Sequence, residues 1–180
     1  MSQRILVAGI GNIFLGDDGF GVEVVRRLAA HPLPSGVRVA DFGIRGVHLA
    51  FEILEHPEDT TILVDITPRG GAPGTVYLIE PDLAALADAA TGTADAHSMT
   101  PEAVFGLLRS MGGTPRRVWI VGCEPLSLEE KMGLSAPVEQ AVDEAVALVL
   151  DVIAREGREE TERAENVAGA VAGPLHEESA

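Results

Sequence analysis

Short apolar runs alternate with segments of helical periodicity along most of this chain. The runs at residues 4–8, 37–42, 61–66, 75–79 and 117–121 have the composition and length of buried strands. Between them, as over residues 20–28 and 47–54, apolar side chains recur at helical spacing. This alternation predicts an α/β fold, a three-layer α/β/α sandwich whose helices cover both faces of an about five-stranded, mostly parallel sheet.

The connection between the third and fourth runs is too short for a parallel arrangement. Only "TPRGGAPG" separates them, whereas a parallel crossover needs about a dozen residues or more and usually contains a helix. The fourth strand is therefore predicted to be antiparallel, which makes the sheet mixed.

Two further helices carry boundary signals. The Thr-Pro-Glu triplet at 100–102 is typical of a helix start, and the Gly pair at 112–113 of a helix end. A longer helix is predicted over about residues 137–154, capped by Ser135. Its predicted buried face is Val138, Ala141, Val142, Ala145, Leu148, Val149 and Val152.

Beyond residue 155 the chain becomes charged, then small and Gly-rich, without a sustained apolar stripe. Such a segment cannot bury enough apolar surface to order itself. We therefore predict a single α/β domain over residues 1–155 and a charged C-terminal tail over residues 156–180, either mobile or a frayed extension of the last helix.

Composition argues against several classes of partner. The formal net charge of −15 repels nucleic acid and anionic lipid, which clustered Lys and Arg side chains bind. Cys123 is the one cysteine, so it forms no internal disulfide, and its apolar surroundings indicate a buried, unreactive thiol. The N-terminal run resembles neither a signal peptide nor a membrane span. We expect a cytoplasmic protein that binds neither nucleic acid nor membranes.

Acidic side chains follow the predicted strands at their carboxyl ends, where open α/β sheets bind ligands. Asp17 and Asp18 follow the first strand, Asp41 lies near the end of the second, and Asp65 ends the third. His97 precedes the helix that starts at residue 101, so it can reach the same edge. We expect these residues to converge at one edge of the sheet.

Each of these residues also has a structural interpretation. Asp17 is better explained as the N-cap of the first helix, and Asp18 suits either the first helical turn or a ligand role. Asp65 is more informative, because a carboxylate that ends an apolar strand is costly to bury without a partner. Together, Asp18, Asp65 and His97 would suit a borderline divalent ion such as nickel, cobalt, iron or zinc.

The glycines after the first strand raise a rival interpretation, nucleotide binding. However, Phe14 occupies the position of the third glycine in a dinucleotide-binding turn, and the following aspartates would repel a pyrophosphate. The Gly-Lys-Ser/Thr of a P-loop and the Gly-x-Ser-x-Gly of a serine hydrolase are both missing from the sequence.

Five sequence blocks resemble those of the hydrogenase maturation proteases, the endopeptidases that trim the C-terminal extension of the nickel–iron hydrogenase large subunit. The blocks are "ILVAGIGNIFLGDDGFGVEVV", "DFGIRG", "LVDITPRGGAPGTV", "DAHSMTPEAV" and "VGCEPLSLEEKMGLSAPVEQAV". The resemblance covers about residues 4–153, and the charged tail lies outside it. It implies an α/β/α sandwich and a cytoplasmic peptidase.

The same resemblance implies a nickel-sensing site, which by motif falls on Asp18, Asp65 and His97. In the family the nickel arrives with the substrate, and cleavage follows only after nickel has been inserted into the large-subunit precursor. The resemblance therefore implies an enzyme that holds no tightly bound metal of its own in the resting state.

The block "DFGIRG" departs from the commoner family pattern of Asp-Gly-Gly-Thr followed by a later Gly. Asp41 and Gly46 match that pattern, whereas Phe42, Ile44 and Arg45 do not. Asp41 could be catalytic, steer the substrate or hold the turn, and we favour a role at the substrate site.

These observations predict a nickel-dependent endopeptidase of aspartic or metal-assisted type, with Asp18, Asp65, His97 and Asp41 as its site residues. The ion could activate a water, polarise the scissile carbonyl or dock the substrate, and we favour docking with polarisation. The alternative is a non-enzymatic module that binds a metal-loaded partner; a nucleotide-binding protein is less favoured.

Overall fold

The computed structural model describes residues 4–57, 59–89 and 100–171. Its strands are β1 (Ile5–Ile10), β2 (Val37–Gly43), β3 (Thr60–Ile66), β4 (Val76–Ile79) and β5 (Arg117–Cys123). Its helices are α1 (Phe20–Leu28), α2 (Gly46–Glu55), α3 (Leu83–Ala89), α4 (Pro101–Ser110) and α5 (Ala136–Val171). A short 3₁₀ helix, Gly16–Gly19, leads into α1.

The strands form one mixed sheet in the order β2-β1-β3-β5-β4. Strands β2, β1, β3 and β5 are parallel, and β4 pairs antiparallel with β5. The predicted antiparallel fourth strand is therefore confirmed. Because β2 lies on one side of β1 and β3 on the other, the strand order reverses at β1. In doubly wound folds the crevice beyond the carboxyl ends at such a reversal is the usual ligand site.

Helices cover both faces of the sheet, because neighbouring residues of a strand point to opposite faces. On one face α1 and α5 pack against strand residues such as Val7 and Val64. On the other face α2 and α4 pack against residues such as Leu6 and Leu63. This arrangement confirms the three-layer sandwich. Among the helices of the described part of the chain, none combines the length and apolar character needed to cross a lipid bilayer.

Helix α5 is much longer than predicted, and its expected end near residue 154 is wrong. Glu156 lies just beyond that point and is only 2% exposed. Its carboxylate accepts hydrogen bonds from Trp119 Nε1 at 2.8 Å and Thr60 Oγ1 at 3.2 Å, and it pairs with Arg117 at 2.9 Å. The helix thus continues on polar contacts with the sheet after its apolar stripe has ended.

The next turn of α5 repeats this pattern at the surface. Glu159 pairs with Arg117 at 2.5 Å, and Glu160 pairs with Arg116 at 2.7 Å. Residues 156–171 of the predicted tail are therefore helical, while residues 172–180 lie outside the described residues. Within the predicted buried face, Leu148 is half-buried, and Val146 is buried instead.

The other helices follow the sequence signals to different degrees. Helix α4 begins as predicted, with Thr100 Oγ1 accepting a hydrogen bond from Ala103 N at 3.3 Å. Helix α3 was not predicted, because seven residues with two leucines are too few to show a helical period. Its start did carry a signal: Asp82 Oδ1 accepts hydrogen bonds from Ala84 N and Ala85 N, at 3.0 and 3.2 Å.

Asp17 joins two loops at the carboxyl end of the sheet, the β1–α1 loop (residues 11–19) and the β5–α5 loop (residues 124–135). It is fully buried, and its carboxylate accepts four hydrogen bonds. These come from Leu126 N at 2.8 Å, Ser127 N at 3.0 Å, Ser135 N at 2.6 Å and Ser135 Oγ at 2.9 Å. No side chain caps the 3₁₀ helix or α1, so the predicted N-cap role of Asp17 is wrong.

Backbone hydrogen bonds reinforce the connection between these loops. Gly16 N donates to Lys131 O at 2.7 Å, and Lys131 N donates to Phe14 O at 2.9 Å. Burial acts to raise the pKa of Asp17, but its hydrogen bonds, first the one from Ser135 N–H, outweigh burial and hold the pKa below the ordinary value of 3.8. Asp17 is therefore a carboxylate anion that holds the two loops together.

We predict that Asp17→Ala lowers the free energy of unfolding at pH 7 by about 3 kcal/mol or more, because it leaves buried donors unpaired. Because the pKa of Asp17 is lower in the folded chain than in the unfolded chain, its stabilisation is present above about pH 4 and is lost as the pH falls through the folded pKa. Urea titrations should therefore show the difference between variant and wild type shrinking below about pH 4.

Asp143→Ala is the matched control. Asp143 is an exposed acid that pairs with Arg27 at 2.9 Å, and its loss should cost less than about 1 kcal/mol. Equal destabilisation by the two substitutions would contradict the role assigned to Asp17.

Candidate active site

Asp18 is held above the carboxyl end of β1 by a tight backbone turn. Gly11 has a φ of +130°, and a Cβ at this position would lie 1.8 Å from Asp18 O, so only glycine fits here. Asn12 N then donates a hydrogen bond to Asp18 Oδ2 at 2.7 Å. The turn brings the chain back over the sheet edge and fixes one carboxylate oxygen.

Helix α1 begins in direct contact with the backbone of two strands. A Cβ at Gly21 would lie 2.1 Å from Val64 O of β3 and 2.4 Å from Ile10 O of β1. The first turn of α1 can therefore approach the sheet only because residue 21 is glycine. This approach places Asp18, three residues earlier, over the crevice between β1 and β3.

Asp65 lies in the same crevice, one residue before the end of β3. It is 6% exposed, and Ile66 N donates to its Oδ1 at 2.7 Å. Burial raises the pKa of Asp65 well above the ordinary value of 3.8; the hydrogen bond from Ile66 opposes this, and the charges of Asp18 and Glu102 raise the pKa further. Without a cation nearby, this environment favours the protonated acid.

Asp18 and Asp65 each keep one carboxylate oxygen available. Among the described residues, no hydrogen-bond donor reaches Asp18 Oδ1 or Asp65 Oδ2. Carboxylate oxygens of this kind can bind a divalent cation. The third predicted ligand, His97, lies outside the described residues, so its placement stays a prediction. Within residues 4–57, 59–89 and 100–171, no three His, Cys, Asp or Glu side chains form a group that could hold a metal.

Glu102 is a further acid whose charge acts on Asp65, and no feature of the sequence indicated it. It lies in the first turn of α4, where an acid is already explained by the helix dipole, so it gave no separate signal. Its charge acts on Asp65 together with that of Asp18. The negative charges of Asp18 and Glu102 therefore both raise the pKa of Asp65.

Asp41 lies two strands away from Asp65 in the sheet. It lies on the edge strand β2 and is exposed. Its neighbour Phe42 packs in the layer of α2 and α4, so Asp41 points to the opposite face of the sheet. Asp65 points toward α2 and α4, because its neighbour Val64 packs in the layer of α1 and α5. The convergence of Asp41 with Asp65 and its role at a substrate site therefore stay predictions.

The turn after Asp41 is held by Arg45. Arg45 Nε donates to Phe42 O at 3.2 Å, and its Nη2 donates to Asp41 O. The arginine that distinguishes "DFGIRG" from the commoner pattern therefore closes the β2–α2 turn through backbone carbonyls.

The loop after Asp65 is fixed by Glu124, which is 6% exposed. Its carboxylate accepts hydrogen bonds from Arg69 N at 2.8 Å, Gly70 N at 3.1 Å and Tyr77 Oη at 2.9 Å. The bond from Arg69 N is the main cause that lowers the pKa of Glu124. The adjacent Cys123 is fully buried, and burial raises the pKa of its thiol to about 12, which confirms the predicted buried thiol.

Comparison with known proteins identifies relatives along nearly the whole chain. A family model described as hydrogenase maturation protease, HycI, matches residues 22–152. The hydrogenase expression/formation protein HupD of Rhizobium leguminosarum bv. viciae is 35% identical over 178 residues, covering 98% of this chain and 85% of HupD. The hydrogenase 2 maturation protease of Escherichia coli K12 is 33% identical over 160 residues, covering 87% of this chain and 94% of that protein.

The fold is also similar to that of a solved hydrogenase maturation endopeptidase. The hydrogenase maturating endopeptidase HybD from E. coli superimposes with a TM-score of 0.72 at 32% identity, covering 86% of this chain and 94% of HybD. Sequence and fold thus agree over the domain that carries Asp18 and Asp65, and the chain belongs to the hydrogenase maturation protease family.

Proposed function

We propose that this protein is the endopeptidase that removes the C-terminal extension of a nickel–iron hydrogenase large-subunit precursor after nickel insertion. Family membership supports the reaction class. The observation that carries the proposal is the buried Asp65 beside Asp18, each with an oxygen free of donors, in the crevice where the strand order reverses.

In this proposal, nickel bound to the substrate is the recognition element. Asp18 and Asp65 supply carboxylate oxygens and His97 an imidazole nitrogen, a mixed set that suits nickel. His97 is three residues before Thr100, so covalent geometry keeps their Cα atoms within about 11 Å. Thr100 caps the helix whose first turn carries Glu102, whose charge acts on Asp65.

Electrostatics explains how such a site distinguishes loaded from unloaded precursor. A cation between Asp18 and Asp65 would offset their mutual repulsion and favour the charged form of Asp65, which burial otherwise disfavours. A precursor without nickel brings no such compensation, so it binds more weakly. A bound ion would also polarise the scissile carbonyl, and Asp41, exposed on the edge strand β2, would contact the substrate.

We predict that His97→Ala abolishes cleavage of a nickel-loaded precursor, because it removes the nitrogen ligand while leaving the fold intact. His31→Ala is the matched control: His31 is an exposed histidine beyond the end of α1 whose ring contacts Arg27 O at 3.1 Å. Mass spectrometry of the precursor measures cleavage, and circular dichroism measures folding.

Normal cleavage by the His97 variant would contradict the proposed ligand set. A wild-type protein that binds the loaded precursor but leaves its mass unchanged would support the non-enzymatic alternative.

We predict that Asp65→Asn makes the metal-free protein more stable at neutral pH. Because the pKa of Asp65 is raised by folding, its neutral form stabilises the fold below about pH 4, and this advantage is lost as the pH rises toward the folded pKa. Asparagine keeps the shape without the charge. The gain in unfolding free energy over wild type should therefore be present at pH 7 and shrink toward pH 4.

The same substitution should reduce precursor cleavage by about a hundredfold or more, since metal polarisation contributes several kcal/mol to catalysis. Asp151→Asn, at an exposed acid of α5, is the control for both measurements. A less stable Asp65→Asn variant that cleaves normally would contradict both the buried-acid analysis and the assigned role.

A further inference from the structure

Exposed apolar side chains are concentrated beside the candidate site. Eight large apolar residues of the described chain are exposed, and five of them lie on the two loops that Asp17 joins. We name these five the two-loop surface: Ile13, Phe14, Leu126, Leu128 and Met132, exposed by 42%, 60%, 58%, 46% and 66%. Scattered apolar residues are normal on protein surfaces, whereas a contiguous group next to a site marks an interaction surface.

The backbone under this surface is fixed before any partner binds. Lys131 N donates to Phe14 O at 2.9 Å, Leu15 pairs with Lys131 as an isolated parallel bridge, and the buried Asp17 accepts from both Leu126 N and Ser127 N. The two loops are therefore already ordered, so binding a partner costs little of their conformational entropy.

A cavity of about 410 Å³ adjoins the two-loop surface. Its apolar lining residues are Ile13, Val22, Met132 and Leu134. Its charged lining residues are Glu23, Arg26, Arg27 and Glu139, which pair with one another. The apolar part of this cavity can accept an anchoring side chain of a protein partner, and the paired charges leave its wall without a strong net charge.

Charge restricts the kind of partner. Asp18, Glu129 and Glu130 belong to the same two loops as the surface, and Lys131 is the only lysine in the sequence. With a net charge of −15, two copies of this protein would repel each other at such a surface. A segment that combines apolar side chains with Lys or Arg complements both features.

We infer that the two-loop surface docks an apolar segment of the large-subunit precursor that is flanked by basic residues. The identity of the partner rests on the proposed function. Phe14 and Asp18 belong to the same loop, so a segment bound at Phe14 is held close to Asp18. Docking therefore adds binding energy beside the reacting bond and leaves the chemical step to the carboxylates.

The test compares Phe14→Ser and Met132→Ser with Phe51→Ser. Phe51 is 47% exposed on α2, outside both loops, and matches Phe14 in type. The substrate is the full-length, nickel-loaded large-subunit precursor from the same organism. Each two-loop variant should raise KM and the dissociation constant by about tenfold or more with kcat within about twofold, while Phe51→Ser changes neither. Raising the salt from 0.05 to 0.5 M should weaken wild-type binding, because part of the attraction is between charges.

Separate outcomes overturn the docking inference and the proposed function. Unchanged KM and binding in the two-loop variants, or an equal loss in Phe51→Ser, would overturn docking while cleavage by wild type still supports the function. Binding that the two-loop variants weaken, with no cleavage by wild type, would support docking and overturn the function. Wild-type protein that neither binds nor cleaves the precursor, or that self-associates through these loops, would overturn docking.

Discussion

The carboxylate of Asp17 is the contact on which the geometry of the site depends. It joins the β1–α1 loop to donors at Leu126 and Ser135, which lie 109 and 118 residues further along the chain. Asp17 and Asp18 belong to a 3₁₀ helix, in which successive side chains are rotated by about 120°. One aspartate therefore points into the protein, while its neighbour points to the sheet edge. The carboxylate of Asp17, held by four hydrogen-bond donors, thus positions the carboxylate of Asp18, which keeps one oxygen free of donors.

Asp17 and Asp65 show that burial alone does not decide the state of an acid. Both are at least nine-tenths buried, yet folding lowers the pKa of Asp17 and raises that of Asp65. The difference lies in their partners: Asp17 accepts four hydrogen bonds, whereas Asp65 accepts one and is exposed to the negative charges of Asp18 and Glu102. Replacing Asp65 with a neutral residue would remove the cost of burying its charge. Its presence in the crevice is therefore better explained by a role in catalysis or binding than by stability.

The sequence predicted the layers of this fold better than its polar contacts. Apolar runs report burial directly, which is why the strands and the antiparallel β4 were confirmed. The extension of α5 was missed because Glu156 is buried by Trp119 and Thr60, residues that periodicity cannot relate to it. Asp17 was assigned to a local cap for the same reason. The direction of Asp41 depended on which face Phe42 packs against, which a strand-end rule does not specify.

A site that must distinguish nickel-loaded from unloaded precursor limits how strongly the apolar two-loop surface can bind the precursor. If the two-loop surface alone held the precursor tightly, unloaded precursor would occupy the enzyme and block it, since it presents the same apolar segment. If the metal alone supplied the affinity, the repulsion among Asp18, Asp65 and Glu102 would make the site attract any free divalent ion. Both outcomes are avoided when the two-loop surface supplies one part of the binding energy and the ion at Asp18 and Asp65 supplies the other. Only a partner that carries the segment and the ion on one chain then gains from both contacts at once, because the first raises the effective concentration for the second.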